Sequence, residues 1–189
     1  MSVAEYLERS AEMIRAMAAA PAASQVEPAA RLIAQALKAG KPLLVCGNGG
    51  SAADAQHIAG ELVGRFLKER QALRCICLAA DMAVMTALAN DYGYEAVFAR
   101  QVEAYGEAGG VLLGISTSGN SANVIAAFEK ARSLSMTTIA LTGQGGGKLA
   151  ALADLLIDVP STHTPDIQQV HLCLYHFLCE RIETLCLMS

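Results

Sequence analysis

Asp54, His57, Glu61 and Arg65 recur at i, i+3, i+7 and i+11, a spacing that lines them along one face of a helix. Ala55, Ile58, Leu62 and Phe66 form an apolar stripe beside them, as an amphipathic helix requires. A solvated charged face would read the same way. A second segment, from about Thr164 to Leu187, puts Gln168, Leu172 and His176 on one face by i+4 steps inside an otherwise apolar stretch, Val170 to Cys179. A lone histidine in such a run is ordinarily a satisfied core residue. Paired across two helices, two imidazoles, a carboxylate and an amide could instead surround a metal such as zinc, or act as base and acid.

Two loops could hold the ligand for that chemistry. Cys46-Gly47-Asn48-Gly49-Gly50-Ser51 runs from a predicted strand into a predicted helix. Its glycines admit close backbone approach, and the helix N-terminus behind them offers free N–H groups and partial positive charge to an anion. Ser51-Ala52-Ala53-Asp54 also fits a capping pattern, so a purely structural role for those two residues stays open. Gly47 to Ala52 meets the loose glycine fingerprint of dinucleotide sites, but that motif expects an acidic residue roughly 20 positions on. The nearest strand-end candidate, Asp81, lies 34 positions beyond Gly47, which argues against a nucleotide. Ser116-Thr117-Ser118-Gly119-Asn120-Ser121 is richer: four hydroxyls beside exposed N–H groups make a neutral phosphate cradle. An ordinary N-cap needs one hydroxyl. A third cluster, Thr142 to Lys148, reads as a plain turn into the next helix.

The elements that must position these groups follow from periodicity. Residues 3–20 and 26–39 show helical spacing, punctuated by Pro21 and Pro28. Thereafter short apolar runs end in Gly, Ser or Thr and are followed by helical segments, the signature of strand, crossover helix, strand. Five strands are expected: Leu43–Cys46, Arg74–Leu78, Val111–Ser116, Thr137–Leu141 and Leu155–Val159. Helices near 51–67, 81–89, 95–106, 119–133 and 146–153 fill the gaps, and a long one from 164 to 187 closes the chain. The expected fold class is α/β, a three-layer five-stranded parallel sheet within one domain, with residues 1–40 as a helical hairpin and 41–189 as the core. In such sheets ligands bind beyond the carboxyl ends of the strands, where strand order reverses.

Composition narrows the function classes. The 189 residues are 53% hydrophobic and 17% charged, with a mean hydropathy of +0.36, which argues against disorder and for surface hidden against further copies of the chain. With a net charge of -4 and 5% aromatics, neither a basic footprint nor a stacking platform for nucleic acid is present. No run reaches the roughly 18 apolar residues of a membrane span. Glu5, Glu8 and Glu12 stand where an export signal would be basic and apolar, so the expected location is the cytoplasm. The six cysteines form no C-x-x-C pair and are expected to be reduced.

Five separated motifs, spread in order over nearly the whole chain, resemble the sugar isomerase (SIS) superfamily and, within it, the phosphoheptose isomerase family. They are Cys46 to Ser51, Gln56 to Leu62, Asn90-Asp91-Tyr92-Gly93, Ser116 to Ser121, and Ile167-Gln168 with His171 and His176. The resemblance implies a flavodoxin-like SIS fold assembled as a homotetramer with active sites between subunits. It implies conversion of D-sedoheptulose 7-phosphate to D-glycero-D-manno-heptose 7-phosphate, the entry to the heptoses of bacterial lipopolysaccharide and related glycans.

Carried over by motif, His57, Glu61, Gln168 and His176 match the family's zinc ligands, one ion per subunit, and Glu61 and His176 its base and acid. Asn48, Gly49, Gly50, Ser51, Glu61, Asn90, Asp91, Ser116, Thr117, Ser118, Ser121 and Gln168 match its substrate-contacting motifs, and Arg65 an arginine near the site. Asp166 and Gln169 depart from the pattern, standing where the family carries a basic residue and a glutamate, and His163 stands where an acidic residue is common. A non-catalytic relative that associates with the bacterial replication initiator shares the phosphate loops but lacks the residues equivalent to Glu61 and His176. Their presence here separates an enzyme from that binding module.

Overall fold

The structure, a computed structural model, describes residues 1–188. Five parallel strands, β1 (Leu43–Gly47), β2 (Cys75–Cys77), β3 (Val111–Ser116), β4 (Thr137–Thr142) and β5 (Leu155–Asp158), form one sheet in the order β2-β1-β3-β4-β5. The three central strands are buried along almost their whole length, so both faces are covered. Alternation divides the core in two. Leu43, Val45, Leu113, Ile115, Ile139 and Leu141 pack on one side; Leu44, Cys46, Leu112 and Ala140 pack on the other.

The first side is covered by α1 (Val3–Ala19), α2 (Val26–Lys38), α3 (Gly50–Val63) and α7 (Thr164–Leu187). The second is covered by α4 (Met82–Tyr92), α5 (Val97–Tyr105) and α6 (Ala122–Ser133). Gly114 lets α6 lie this close to β3: a Cβ there would stand within 3.0 Å of Phe128 and Val124. Among the described residues no helix is long and apolar enough to cross a membrane.

Two expected helices differ. The segment 51–67 is helical only to Val63, with Gly64 as its cap. The backbone N–H groups of Phe66, Leu67 and Lys68 then donate to the Glu183 carboxylate of α7 at 3.0, 2.9 and 2.8 Å. The segment 146–153 is a short 3-10 turn, Gly147–Ala151.

Strand order reverses between β1 and β3, which are paired in register from Leu43↔Val111 to Gly47↔Ile115. The glycine loop after β1 and the hydroxyl loop after β3 therefore emerge side by side at the switch point, where an open α/β sheet leaves a crevice.

Candidate active site

The two loops form the floor. The N-cap of α3 is Gly49, in a positive-φ conformation, and no side chain caps it. Ser51 is buried inside the first turn, and the Ser51–Asp54 capping box is not formed. Ser121 is the N-cap of α6 yet makes no side-chain cap bond; its hydroxyl lies 2.9 Å from that of buried Ser116. Ser118 Oγ accepts from the N–H of Asn120 at 3.1 Å, and Thr117, between Ser116 and Ser118, is half-buried. Two helices thus present their N-termini, with no side-chain cap, to the same crevice, an arrangement that favours an anion.

The glycine cluster after β4 is more than a turn. A Cβ on Gly119 would stand within 3.0 Å of the Gly146 and Gly147 backbone, and one on Gly143 would strike the Thr117 carbonyl. The cluster braces the hydroxyl loop from behind.

Above the floor, α3 and α7 run alongside each other. His57 Nε2 lies 3.1 Å from Glu61 Oε1, and His57 Nδ1 lies 3.0 Å from the Tyr175 hydroxyl. The His176 ring packs edge-on against His57 at 5.1 Å and lies tilted against Phe66 at 5.7 Å. Burial pushes the Asp54 carboxyl up against the opposing pull of Tyr175 and His57. Burial and the nearby Asp54 charge likewise raise the Tyr175 phenol.

His57 therefore lies against both Glu61 and His176, whereas Gln168 touches none of the three. Its position is eight residues before His176, about 12 Å along the helix axis. Its amide rests on the start of α3, where a Cβ on Gly50 would be 2.6 Å from Nε2. Asn90 and Asp91 end α4, and their exposed side chains bond each other at 2.8 Å.

Arg65 needs correcting. The helix stops before it, so it does not continue the face of Asp54, His57 and Glu61; it is exposed and faces Glu69 at 3.8 Å. The arginine that reaches this region is Arg70, which donates to the Glu61 and Gly64 carbonyls at 2.8 and 2.9 Å. Its buried side chain also lies 3.4 Å from Glu183. Burial alone would raise the Glu183 carboxyl, but the three N–H donors and Arg70 outweigh it and hold it below its ordinary value.

The chain matches the SIS domain family over residues 5–143. A phosphoheptose isomerase from Helicobacter pylori (strain P12) is 49% identical over 179 residues, 95% of this chain and 89% of that protein. Another from Aquifex aeolicus is 55% identical over 161 residues, 85% of this chain and 84% of that protein. A solved phosphoheptose isomerase from Neisseria gonorrhoeae superposes with a TM-score of 0.90 at 43% identity, covering 96% of this chain and 97% of that one. The chain belongs to the SIS-domain phosphoheptose isomerase family.

Its departures from the phosphoheptose isomerase pattern have a common location. Asp166, buried in the first turn of α7, pairs with Arg9 of α1 at 3.2 Å and with His163 at 3.1 Å. Gln169 donates to the Tyr6 hydroxyl of α1 at 2.9 Å. Both substituted positions fasten the turn that carries Gln168 to the N-terminal helix.

Several residues of this isomerase site escape sequence reasoning. Tyr175, Tyr94 and Asn123 each touch a motif residue through contacts 46 to 118 positions apart in the chain. Only the first-turn placement of Asn123 beside the hydroxyl loop offered a signal.

Proposed function

We propose that the protein is an aldose–ketose isomerase that interconverts D-sedoheptulose 7-phosphate and D-glycero-D-manno-heptose 7-phosphate, supplying heptose for bacterial surface glycans. The observation that carries this is the juxtaposition of Glu61 with two imidazoles above the crevice formed by the glycine and hydroxyl loops, in a member of the phosphoheptose isomerase family.

The phosphate would sit on the hydroxyls of Ser116, Thr117, Ser118 and Ser121 and the α3 and α6 N-termini, far from the reacting carbons, where its binding energy orients the chain. Glu61 takes a proton from C1 of the ketose while His176 donates one to the C2 oxygen, giving the 1,2-enediol. Return of the carbon-bound proton from Glu61 to C2, with the C1 hydroxyl proton passing to His176, leaves the aldehyde and restores both groups. Each step is general acid–base chemistry of the kind that contributes about 10²- to 10⁴-fold.

Zinc belongs to this proposal. Among the described residues no three His, Cys, Asp or Glu side chains stand together as a formed metal cluster. The donors nevertheless suit the ion in kind, since His57, Glu61 and His176 offer two imidazoles and a carboxylate. In the tautomer in which His57 Nδ1 donates to the Tyr175 oxygen, Nε2, beside Glu61 Oε1, would carry the lone pair that a ligand needs. Gln168, the fourth residue of the expected ligand set, stands apart from His57, Glu61 and His176 at the start of α3. Bound by those three, zinc would supply Lewis-acid polarisation of the substrate carbonyl.

A homotetramer is also proposed, supported by exposed Leu7, Ile14, Leu172 and Phe177 on α1 and α7, an apolar surface of the kind that marks association. The deciding experiment is incubation of purified protein with sedoheptulose 7-phosphate, following the product by NMR. Formation of the aldoheptose phosphate is expected, and inertness with and without zinc would overturn the assignment.

A further inference from the structure

Asn48 follows β1 at the switch point, beside the hydroxyl loop, because Gly47 is paired with Ile115. Its side-chain amide is engaged from two directions. Asn48 Nδ2 donates to Asn123 Oδ1 at 2.9 Å, and Asn123 Nδ2 donates back to Asn48 Oδ1 at 2.9 Å. Asn123 is 3% exposed, in the first turn of α6 directly after the hydroxyl loop. The Tyr94 hydroxyl donates to the same Asn48 Oδ1 at 2.7 Å. Tyr94 can reach back because Gly93, at φ 85°, turns the chain sharply after α4.

An amide oxygen offers two lone pairs and an amide nitrogen two N–H donors. Both lone pairs of Asn48 are taken, and one donor is spent on Asn123. We infer that Tyr94 and Asn123 are positioning residues that hold the Asn48 amide in this arrangement, which leaves a single N–H for an oxygen lone pair of the ligand held by the Ser116–Ser121 loop.

In this arrangement Asn48 offers the ligand a donor. Without the Tyr94 hydroxyl, Asn48 Oδ1 regains a lone pair and the amide keeps only its reciprocal bonds to Asn123. Tyr94 supplies the third contact that holds the amide in place. Asn123, held in the α6 turn, transmits the same constraint from the phosphate side of the crevice.

This rests on the isomerase assignment for its ligand, and the test separates the two. Tyr94→Phe, Asn48→Ala and the double variant are compared with wild type by sedoheptulose 7-phosphate binding in calorimetry and by steady-state turnover. Tyr94 is half-exposed, so the phenylalanine variant should unfold at the wild-type temperature. Tyr94→Phe is expected to raise Kd and KM about five- to tenfold, the scale of one oriented hydrogen bond, with kcat within about twofold. In the Asn48→Ala background the same change should have no effect. An unchanged Kd in Tyr94→Phe, or an equal rise in both backgrounds, overturns the inference while turnover by wild type leaves the isomerase assignment standing. Binding without turnover does the reverse: the isomerase assignment falls, and the Kd comparison still decides the role of Tyr94. Inorganic phosphate, used as a competitor, identifies the recognised oxygen. A parallel loss of its affinity in Tyr94→Phe places the donor on the phosphoryl group, and retained affinity places it on the sugar.

Discussion

Gly50→Ala offers a way to move Gln168 without touching it. Gly50 opens α3 in ordinary helical backbone and is absent from the positive-φ glycines, so alanine is not strained there. The added Cβ would lie 2.6 Å from Gln168 Nε2 and 3.2 Å from its Cδ. Restoring ordinary contact near 3.5 Å requires the amide to retreat by roughly 1 Å. Because the obstructing atoms are the tip of a flexible side chain, the displacement should cost little stability, and replacing a helical glycine gains up to about 1 kcal/mol. Turnover is another matter, since a misplacement of about 1 Å can lower a rate by about 10²-fold. Thermal unfolding and NMR turnover of sedoheptulose 7-phosphate, measured on the same preparation, should therefore diverge: an unfolding temperature at or above wild type with strongly reduced activity. Activity within about threefold of wild type would refute a role for Gln168 in the site. A large fall in unfolding temperature would refute the argument that only the side-chain tip gives way.

Glu61→Gln keeps shape and removes the basic carboxylate, so turnover should fall at least ~10²-fold with substrate affinity largely retained; near wild-type turnover would eliminate Glu61 as base. His57→Ala should lower zinc content measured by atomic absorption; zinc retained at one per subunit would remove His57 from the ligand set. Gly114→Ala should destabilise by about 1–3 kcal/mol through overpacking, because its Cβ would press on the Phe128 ring and on Val124 at 3.0 Å, and urea unfolding reads this directly. His171, fully buried with Nε2 3.1 Å from the Thr142 carbonyl, is pushed by burial from 6.5 down to about 4. The unfolded chain then binds the extra proton first, so stability should fall as pH drops from 6.5 towards 4, by about 3 kcal/mol in total. His171→Phe should flatten that limb, and an unchanged slope would show that other groups dominate it.

Much of this architecture was legible because it rests on local pattern. The strand runs around Val45, Leu113 and Ile139 alternate between two apolar faces, so all five strands and their parallel direction could be expected. The His57–Glu61 and Gln168–His176 spacings likewise fix which side chains share a helix face. What was hidden depends on distant partners. Phe66 continues the apolar stripe of α3, yet α3 ends at Val63 because Glu183 captures the next N–H groups from the far end of the chain. Arg65 leaves the helical face of His57 and Glu61 for that reason. Gln168 was expected beside His176 from their shared face, but a shared face says nothing about the distance between two positions along the axis. The Asn48–Asn123–Tyr94 cluster joins three loops and helices that only the sheet order brings together.

The capture of the 66–68 backbone by Glu183 also has a mechanical meaning. Gln168 near one end of α7 meets the first residue of α3, and Glu183 near the other end grips the chain just past the last. The two helices are therefore rails that touch at one end and are bolted at the other, with His57 and His176 facing each other between them. Neither rail can slide by a helical turn without tearing the Glu183 fastening loose, so that contact, well away from both, helps set the registry of Glu61 against His176. Loosening the distal bolt, for instance with Glu183→Ala, would act on proton transfer as backlash in a gear: every catalytic group present, each arriving out of step.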